Sequence, residues 1–418
     1  MQTLGVYIQV PFCSAKCTFC NFRTWVARPE QVDRYSHAVR SEITNLPAFY
    51  RAAGISAQLL DLPVDTIYIG GGNPSLLQLK ALAAALRLLW NNFSRSTQLE
   101  FTVEITPNAV DAAVLEALRG LGVNRLSIGA QSFNDRELRA VGRLHSAEAT
   151  RQCVVTARAA GFANISLDLV AGLPYQTAES WQASLGEIER LKPEHVSTYL
   201  LEIDKKSRLG REVLQGGKRY HAKALPGEDF QVEAYTTAKD YLKRLGYQQY
   251  EISNFALPGH ESRHNQKYWR LDPYLGLGAG AHSYNGSQRW ANEAEPEIYG
   301  NRLNSGEGPV VEIRALTPAQ QLEEFFFLGL RQRRGVNLHE GRTRWGDEMV
   351  ALWQERVERL SQQGWLEHSD GWLRLADHAL LVSNEIFQQF LISSPQKGAH
   401  ETPPVYGELA KQGGEELP

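Results

Sequence analysis

The chain has 418 residues, more than one hydrophobic core usually spans, so a large domain plus a smaller one is expected. Its 43% hydrophobic and 22% charged content excludes disordered and fibrous classes, and a net charge of −3 excludes a global attraction to nucleic acid or an anionic membrane. No run approaches the roughly 18 apolar residues of a membrane-spanning helix, and MQTLGVYIQVPF lacks the basic and apolar regions of a signal peptide, so a cytoplasmic, non-integral protein is expected.

Short β-rich runs alternate with helical stretches. LGVYIQV (4–10), TIYIG (66–70), LEFTVEI (99–105), NRLSIG (124–129), ISLDLV (165–170) and HVSTYLLE (195–202) read as strands. LKALAAALRLLWNNF (79–93) and AAVLEALRGLG (112–122) read as helices, the second stopping at Gly122. Such alternation implies parallel βαβ units, and six of them suit an open, partial (β/α)6 barrel of α/β class. Loops at the C-terminal strand ends then carry the chemistry. Beyond about residue 310 the pattern changes. Residues 318–335 read as a helix ending at a glycine, 349–364 as a second helix, 365–375 as a hairpin around Asp370-Gly371, and 378–392 as a last helix. This suggests a small winged-helix-like α+β domain. The expected division is 1–230 for the barrel, 231–311 for an extension, 312–392 for the small domain and 393–418 for a disordered tail.

Three of the four cysteines, Cys13, Cys17 and Cys20, form C-x3-C-x2-C straight after the first strand. In a reducing compartment such a cluster reads as metal-binding or catalytic rather than as a disulfide framework. Zinc sites usually want four ligands in paired C-x2-C form. Three cysteines instead suit a four-iron cluster with one iron left open. The spacing, with Phe19 before the last cysteine, resembles the signature of the radical S-adenosylmethionine (SAM) superfamily, where the open iron takes the amino and carboxylate groups of SAM. Cys153, in an apolar helical stretch, reads as a small buried hydrophobe. GGGNP (70–74), after the second strand, resembles the superfamily's GGGTP segment, with Asn73 as a departure.

The resemblance extends further. Residues 123–145, 164–177, 250–269 and 274–284, with HNQKYW at 264–269, resemble the HemW family of haem-binding radical SAM proteins over roughly residues 4–390. The resemblance implies a 4Fe–4S cluster on Cys13, Cys17 and Cys20. It implies SAM contacts from Tyr7, Phe19, Gly71, Gly72, Asn73, Glu104, Gln131, Arg143 and Asp168. It also assigns HNQKYW to haem, with His264 as axial ligand and His282 ranked second. Thr106 departs from the family's usual x-N-P after the acidic residue. The implied function is a haem chaperone serving an acceptor haem protein, such as a respiratory, membrane-associated one. A homodimer is compatible with it, and nucleic acid is not an expected partner.

The competing reading is an oxygen-independent coproporphyrinogen III oxidase, a decarboxylase of propionate side chains. Those enzymes resemble C-x3-C-x2-C-x-C, but position 22 here is Phe22. A DNA-binding regulator would rest only on RQRRG (331–335) and RTRWG (342–346), which read more simply as a solvated basic face.

Overall fold

A computed structural model describes residues 2–26 and 28–391; the tail expected to be disordered lies outside them. The strands read from the sequence form one wall in chain order: β1 Leu4–Val10, β2 Val64–Gly71, β3 Arg95–Ile105, β4 Arg125–Gln131, β5 Ile165–Ala171 and β6 His195–Leu200. Each pairs in parallel with the next. Their near-continuous apolar runs follow from burial on both faces, with helices outside and the barrel lumen inside.

The helices between them are α1 Pro29–Ala53, α2 Leu79–Asn92, α3 Ala112–Gly120, α4 Ala147–Ala159 and α5 Ala178–Leu191. Their starts are legible in local chemistry. Asp111, Ser146 and Thr177 each accept a hydrogen bond from a backbone N–H of the first turn. Gly122 carries φ +96 past the end of α3, as a helix stop requires.

The sheet continues beyond six strands. After α6 Glu228–Arg244 come β7 Gln248–Gln249 and β8 Asn254–Ala256, which pair antiparallel beyond β6. A short helix, α7 Arg263–Trp269, follows. Next, β9 Tyr274–Leu277 adds to the free side of β1 in parallel, and β10 His282–Tyr284, β11 Gln288–Asn292 and β12 Val310–Ala315 extend it antiparallel into a 12-stranded sheet. Helix α8, Pro296–Asn304, lies between the last two. The main sheet therefore runs on to Ala315. Buried Glu42 of α1 ties this extension down, accepting from Gly278 N–H at 2.8 Å, Asn292 Nδ2 at 2.7 Å and the Tyr299 hydroxyl at 2.5 Å.

The C-terminal region has the expected hairpin, Leu366–Ser369 with Trp372–Leu375, and the strand Val336–Asn337 completes a three-stranded sheet. Its helices are more broken than expected. Helix α9, Pro318–Gly329, ends six residues before Gly335, and Arg331 just beyond it lies 4.5 Å from the Trp269 ring centroid. Gly335 serves a close approach instead: a Cβ there would sit 2.0 Å from the Leu373 carbonyl oxygen. A helix at Leu338–Trp345 was not anticipated, and the expected 349–364 helix is divided into Asp347–Ala351 and Gln354–Gln362. The expected final helix is a 3₁₀ turn, Asp377–Val382, followed by Ser383–Gln388. One apolar cluster joins this region to the barrel, running from Tyr268, Trp269 and Tyr274 to Phe326, Trp353 and Phe390. Among the described residues, no helix is long and apolar enough to cross a membrane.

Candidate functional site

The loop after β1 carries the cysteines and is pinned to the loop after β2. Gly72 N–H donates to the Val10 carbonyl and Asn73 N–H to the Phe12 carbonyl, each at 2.7 Å. Gly72 has no room for a side chain, since a Cβ would lie 2.3 Å from the Phe12 oxygen and 3.0 Å from Cys13 Sγ. Gly71 takes φ +109. The departure at Asn73 has a local reason: its Oδ1 accepts from Ser75 N–H at 3.1 Å and caps the 3₁₀ turn Pro74–Leu76.

The loops and the inner strand faces enclose a cavity of about 530 Å3. Cys13, Cys17 and Cys20 are half-buried on its wall. Burial pushes the Cys13 thiol up, and the Cys20 thiol up to about 11, so neither ionises at neutral pH unless a cation compensates. Arg143 reaches the same place, with Nη1 3.7 Å from Cys17 Sγ and Nη2 donating to the Gly129 carbonyl at 2.8 Å. Among the described residues, no three Cys, His, Asp or Glu side chains converge on one metal ion. An iron–sulfur cubane does not need that convergence, because each thiolate holds its own iron. Three thiols around one wall, beside a glycine run that leaves space, fit such a cluster.

Two carboxylates face the cavity deeper in. Glu104 Oε1 accepts from the Tyr68 hydroxyl and Oε2 from Gly71 N–H, both at 2.9 Å. Enclosure away from bulk water, reinforced by Asp168, pushes Glu104 up to about 7 against those two hydrogen bonds. Asp168 accepts from Ser197 at 2.8 Å, from Ser127 at 3.3 Å and from Ser166 at 3.4 Å, and burial raises it as well. Gln131 ends β4 at φ +65, beside a register irregularity between β4 and β5. A non-glycine residue held there signals a side chain re-aimed by a bulge, and it does line the cavity.

The structure thus gathers Cys13, Cys17, Cys20, Phe19, Gly71, Gly72, Asn73, Glu104, Gln131, Arg143 and Asp168 on one cavity. Tyr7 and His264 stand behind its wall. Tyr7 is fully buried, with its ring centroid 6.0 Å from that of Tyr68. His264 has no exposed surface; Nδ1 hydrogen-bonds the Thr66 hydroxyl and Nε2 the Tyr268 hydroxyl, each at 2.8 Å. Burial, helped by Lys267 and Arg125, lowers its pKa to about 3 and keeps it neutral. In this conformation no ring nitrogen is offered to a ligand, contrary to the expectation for an axial ligand. The HNQKYW helix is instead a plug. The N–H groups of Arg263 and His264 donate to Glu100 at 3.0 Å, and Arg263 and Lys267 each lie 2.8 Å from Asp65. Its contact with the cavity is made by Asn265. His282 is buried on β10, away from the cavity, and Cys153 is buried in α4 as expected.

Sequence reasoning missed Arg125, Tyr68, the serines around Asp168, and Leu380, Leu381 and Asn384 of the C-terminal region, all on the cavity. A signal existed for some of them. Arg125 and Ser127, like Ser166 and Asp168, are polar positions two apart in strands otherwise apolar, which marks one inward face.

Comparison with known proteins agrees with this geometry. The Radical SAM superfamily model matches residues 7–188, and the HemN C-terminal domain model matches residues 316–382. The heme chaperone HemW of Bacillus subtilis (strain 168) is 33% identical over 388 residues, covering 93% of this chain and 99% of that protein. That of Lactococcus lactis is 31% identical over 388 residues, covering 93% and 97%. The solved structure of coproporphyrinogen III oxidase (HemN) from Escherichia coli, a radical SAM enzyme, superposes with a TM-score of 0.79 at 24% identity, covering 93% of this chain and 90% of that one. That likeness establishes the barrel with its C-terminal domain as the shared fold. With identity above 30% along nearly the whole of these relatives, the chain belongs to the HemW haem chaperone family of radical SAM proteins.

Proposed function

We propose that this protein carries haem as cargo and passes it to an acceptor haem protein, with a 4Fe–4S cluster on Cys13, Cys17 and Cys20 and SAM bound beside it. The observation that carries this reading is that one cavity is bordered both by the cysteine loop and, through Asn265, by the HNQKYW helix. The relatives named as haem chaperones supply the cargo.

When bound, the cluster would supply an open iron for the amino and carboxylate groups of SAM and an electron for its cleavage. The chain's own groups do the rest. The N–H groups of Gly71, Gly72 and Asn73 are spent within the protein, so this segment offers a ligand acceptors, which suit an ammonium group. Burial pushes Glu104 up to about 7 and raises Asp168, so a cationic ligand beside them would favour their charged forms. Arg143 places positive charge beside Cys17 Sγ. We place the protein in the reducing cytoplasm, where part-exposed thiols stay free. His264 becomes an iron ligand only once Nε2 is released from the Tyr268 hydroxyl.

The deciding experiment has two arms on anaerobically reconstituted protein. Haem-loaded protein mixed with an apo b-type cytochrome should transfer haem faster than haem dissociates on its own. Incubation with coproporphyrinogen III, SAM and a reductant should yield no protoporphyrinogen IX; substantial turnover would support the oxidase instead.

A further inference from the structure

We infer that the far end of the cavity is a carboxylate-binding subsite built on Arg125, with Asn265 beside the same space. Arg125 is the first residue of β4, is only 2% exposed and lines the cavity. Its Nε is buried with no hydrogen-bond partner among the described residues. Arginine cannot shed its proton. A guanidinium this buried, with its Nε unpartnered, is unfavourable unless an acceptor of opposite charge meets it from the cavity it lines.

Among the described residues, no neighbouring carboxylate forms a hydrogen bond or ion pair with Arg125. Glu104 and Asp168 feel Arg125 electrostatically, yet burial outweighs it and both are pushed toward the neutral acid. Asp168 is already committed to three serine hydroxyls. His195 and His264 are held neutral, mainly by burial and in part by the charge of Arg125 itself. Asn265 is 7% exposed, lines the same cavity, and has an Oδ1 without partner among the described residues. A guanidinium with an unpartnered Nε–H on this space matches the planar, bidentate acceptor geometry of a carboxylate, while Asn265 Oδ1, an acceptor, suits a donor group on the same ligand or a water.

This subsite is separate from the one proposed for the SAM carboxylate. Arg125 and Gln131 stand at opposite ends of β4, roughly 20 Å apart at about 3.3 Å per residue, and the cysteine loop is at the Gln131 end. The class of ligand is therefore a carboxylate-bearing molecule reaching down the barrel. Its identification as a tetrapyrrole propionate rests on the haem reading above.

Iron-free protoporphyrin IX and its dimethyl ester serve as probes, since neither can bind through iron. Fluorescence titration of the full-length, reconstituted protein should favour the free acid over the ester by about ten-fold or more, the scale of one charge-assisted bidentate contact. Arg125→Gln should abolish the preference, and Arg125→Lys should keep part of it. Iron content and circular dichroism check that the variants fold. Should Arg125→Gln fail to fold, the wild-type comparison of acid with ester, together with a reduced preference in Arg125→Lys, carries the test. Equal wild-type affinity for acid and ester, or a full preference retained in Arg125→Gln, overturns the subsite and leaves the haem reading standing. Wild-type protein that takes up neither these probes nor haem overturns both.

Discussion

His264 Nδ1 lies 2.8 Å from the Thr66 hydroxyl, a partner 198 positions away, and this bond seats the HNQKYW helix against β2. The ring is sandwiched further, with centroid separations of 5.3 Å to Tyr68 and 5.3 Å to Tyr268. Its first role in this conformation is structural, and two substitutions separate that role from ligation. Tyr268→Phe removes only the Nε2 partner and should cost about 1 kcal/mol of stability, the usual net worth of a hydrogen bond. It should also retain the haem absorption spectrum, because it frees the nitrogen that iron would need. His264→Ala leaves a void and two unpaired hydroxyls, and should cost about 2–4 kcal/mol in urea unfolding while altering the haem spectrum. A haem spectrum unchanged in a folded His264→Ala protein would remove His264 as a ligand.

Cys17 and Cys153 differ in setting, and iron content should follow that difference. Cys17 lines the cavity beside Arg143, whereas Cys153 is packed in the core and pushed up to about 12 by burial. Anaerobic reconstitution should give about four irons per wild-type chain, as a 4Fe–4S cluster contains. Cys17→Ala should lose that iron and Cys153→Ala should keep it. Full iron in Cys17→Ala would refute the cluster assignment.

Much of this arrangement was legible in the sequence. The six wall strands are long, apolar and rich in β-branched residues because both faces are covered, and such runs stand out unaided. The cysteine spacing is local, so the site's mouth could be placed without tertiary information. The strand β9 was not legible. It has only four residues, and its Gly276 is required because a Cβ there would meet the His282 carbonyl oxygen at 2.1 Å. That constraint comes from the neighbouring strand and leaves no periodic signal. Arg125 was only partly legible: its spacing two before Ser127 marks an inward face, but an arginine opening a strand reads as solvent-facing until the barrel closes around it. That the HNQKYW motif would be buried was not legible in the sequence either. Thr66 and Glu100, which bury it, stand far away in the chain.

The pH response of Glu104 has a definite sign. Its folded pKa is about 7, against 4.5 for the free side chain. Between those values the folded state holds the extra proton, so stability falls as pH rises from about 4.5 through 7, and the loss is complete above the upper value. Glu104→Gln should therefore gain in melting temperature relative to wild type at pH 8 and show little gain at pH 4. Binding of a cationic ligand has the opposite slope. SAM affinity should rise as pH passes upward through 7 in wild type, where ionised Glu104 can meet an ammonium group, and that rise should vanish in Glu104→Gln. A variant whose SAM affinity keeps the wild-type pH profile would assign the titration to another group.

The link between the barrel and the C-terminal region rests on a buried ion pair. Arg289 of β11 and Glu324 of α9 are 3% and 0% exposed and meet at 2.7 Å, with a second contact through Nε at 2.9 Å. Arg289 Nη1 also donates to the Tyr274 hydroxyl at 2.8 Å, which carries the linkage to β9. Breaking such a pair leaves a charge buried without its counter-charge, an effect on the order of 3–5 kcal/mol. Glu324→Gln should therefore lower the urea midpoint strongly. Because Leu380, Leu381 and Asn384 wall the cavity from the C-terminal side, it should weaken porphyrin uptake as well. Replacing both partners by apolar residues, Arg289→Met with Glu324→Leu, removes the unpaired charge and should recover much of the stability lost in the single variant. A double variant as unstable as the sum of the singles would show that the two side chains act independently, and that the pair does not hold the domains together.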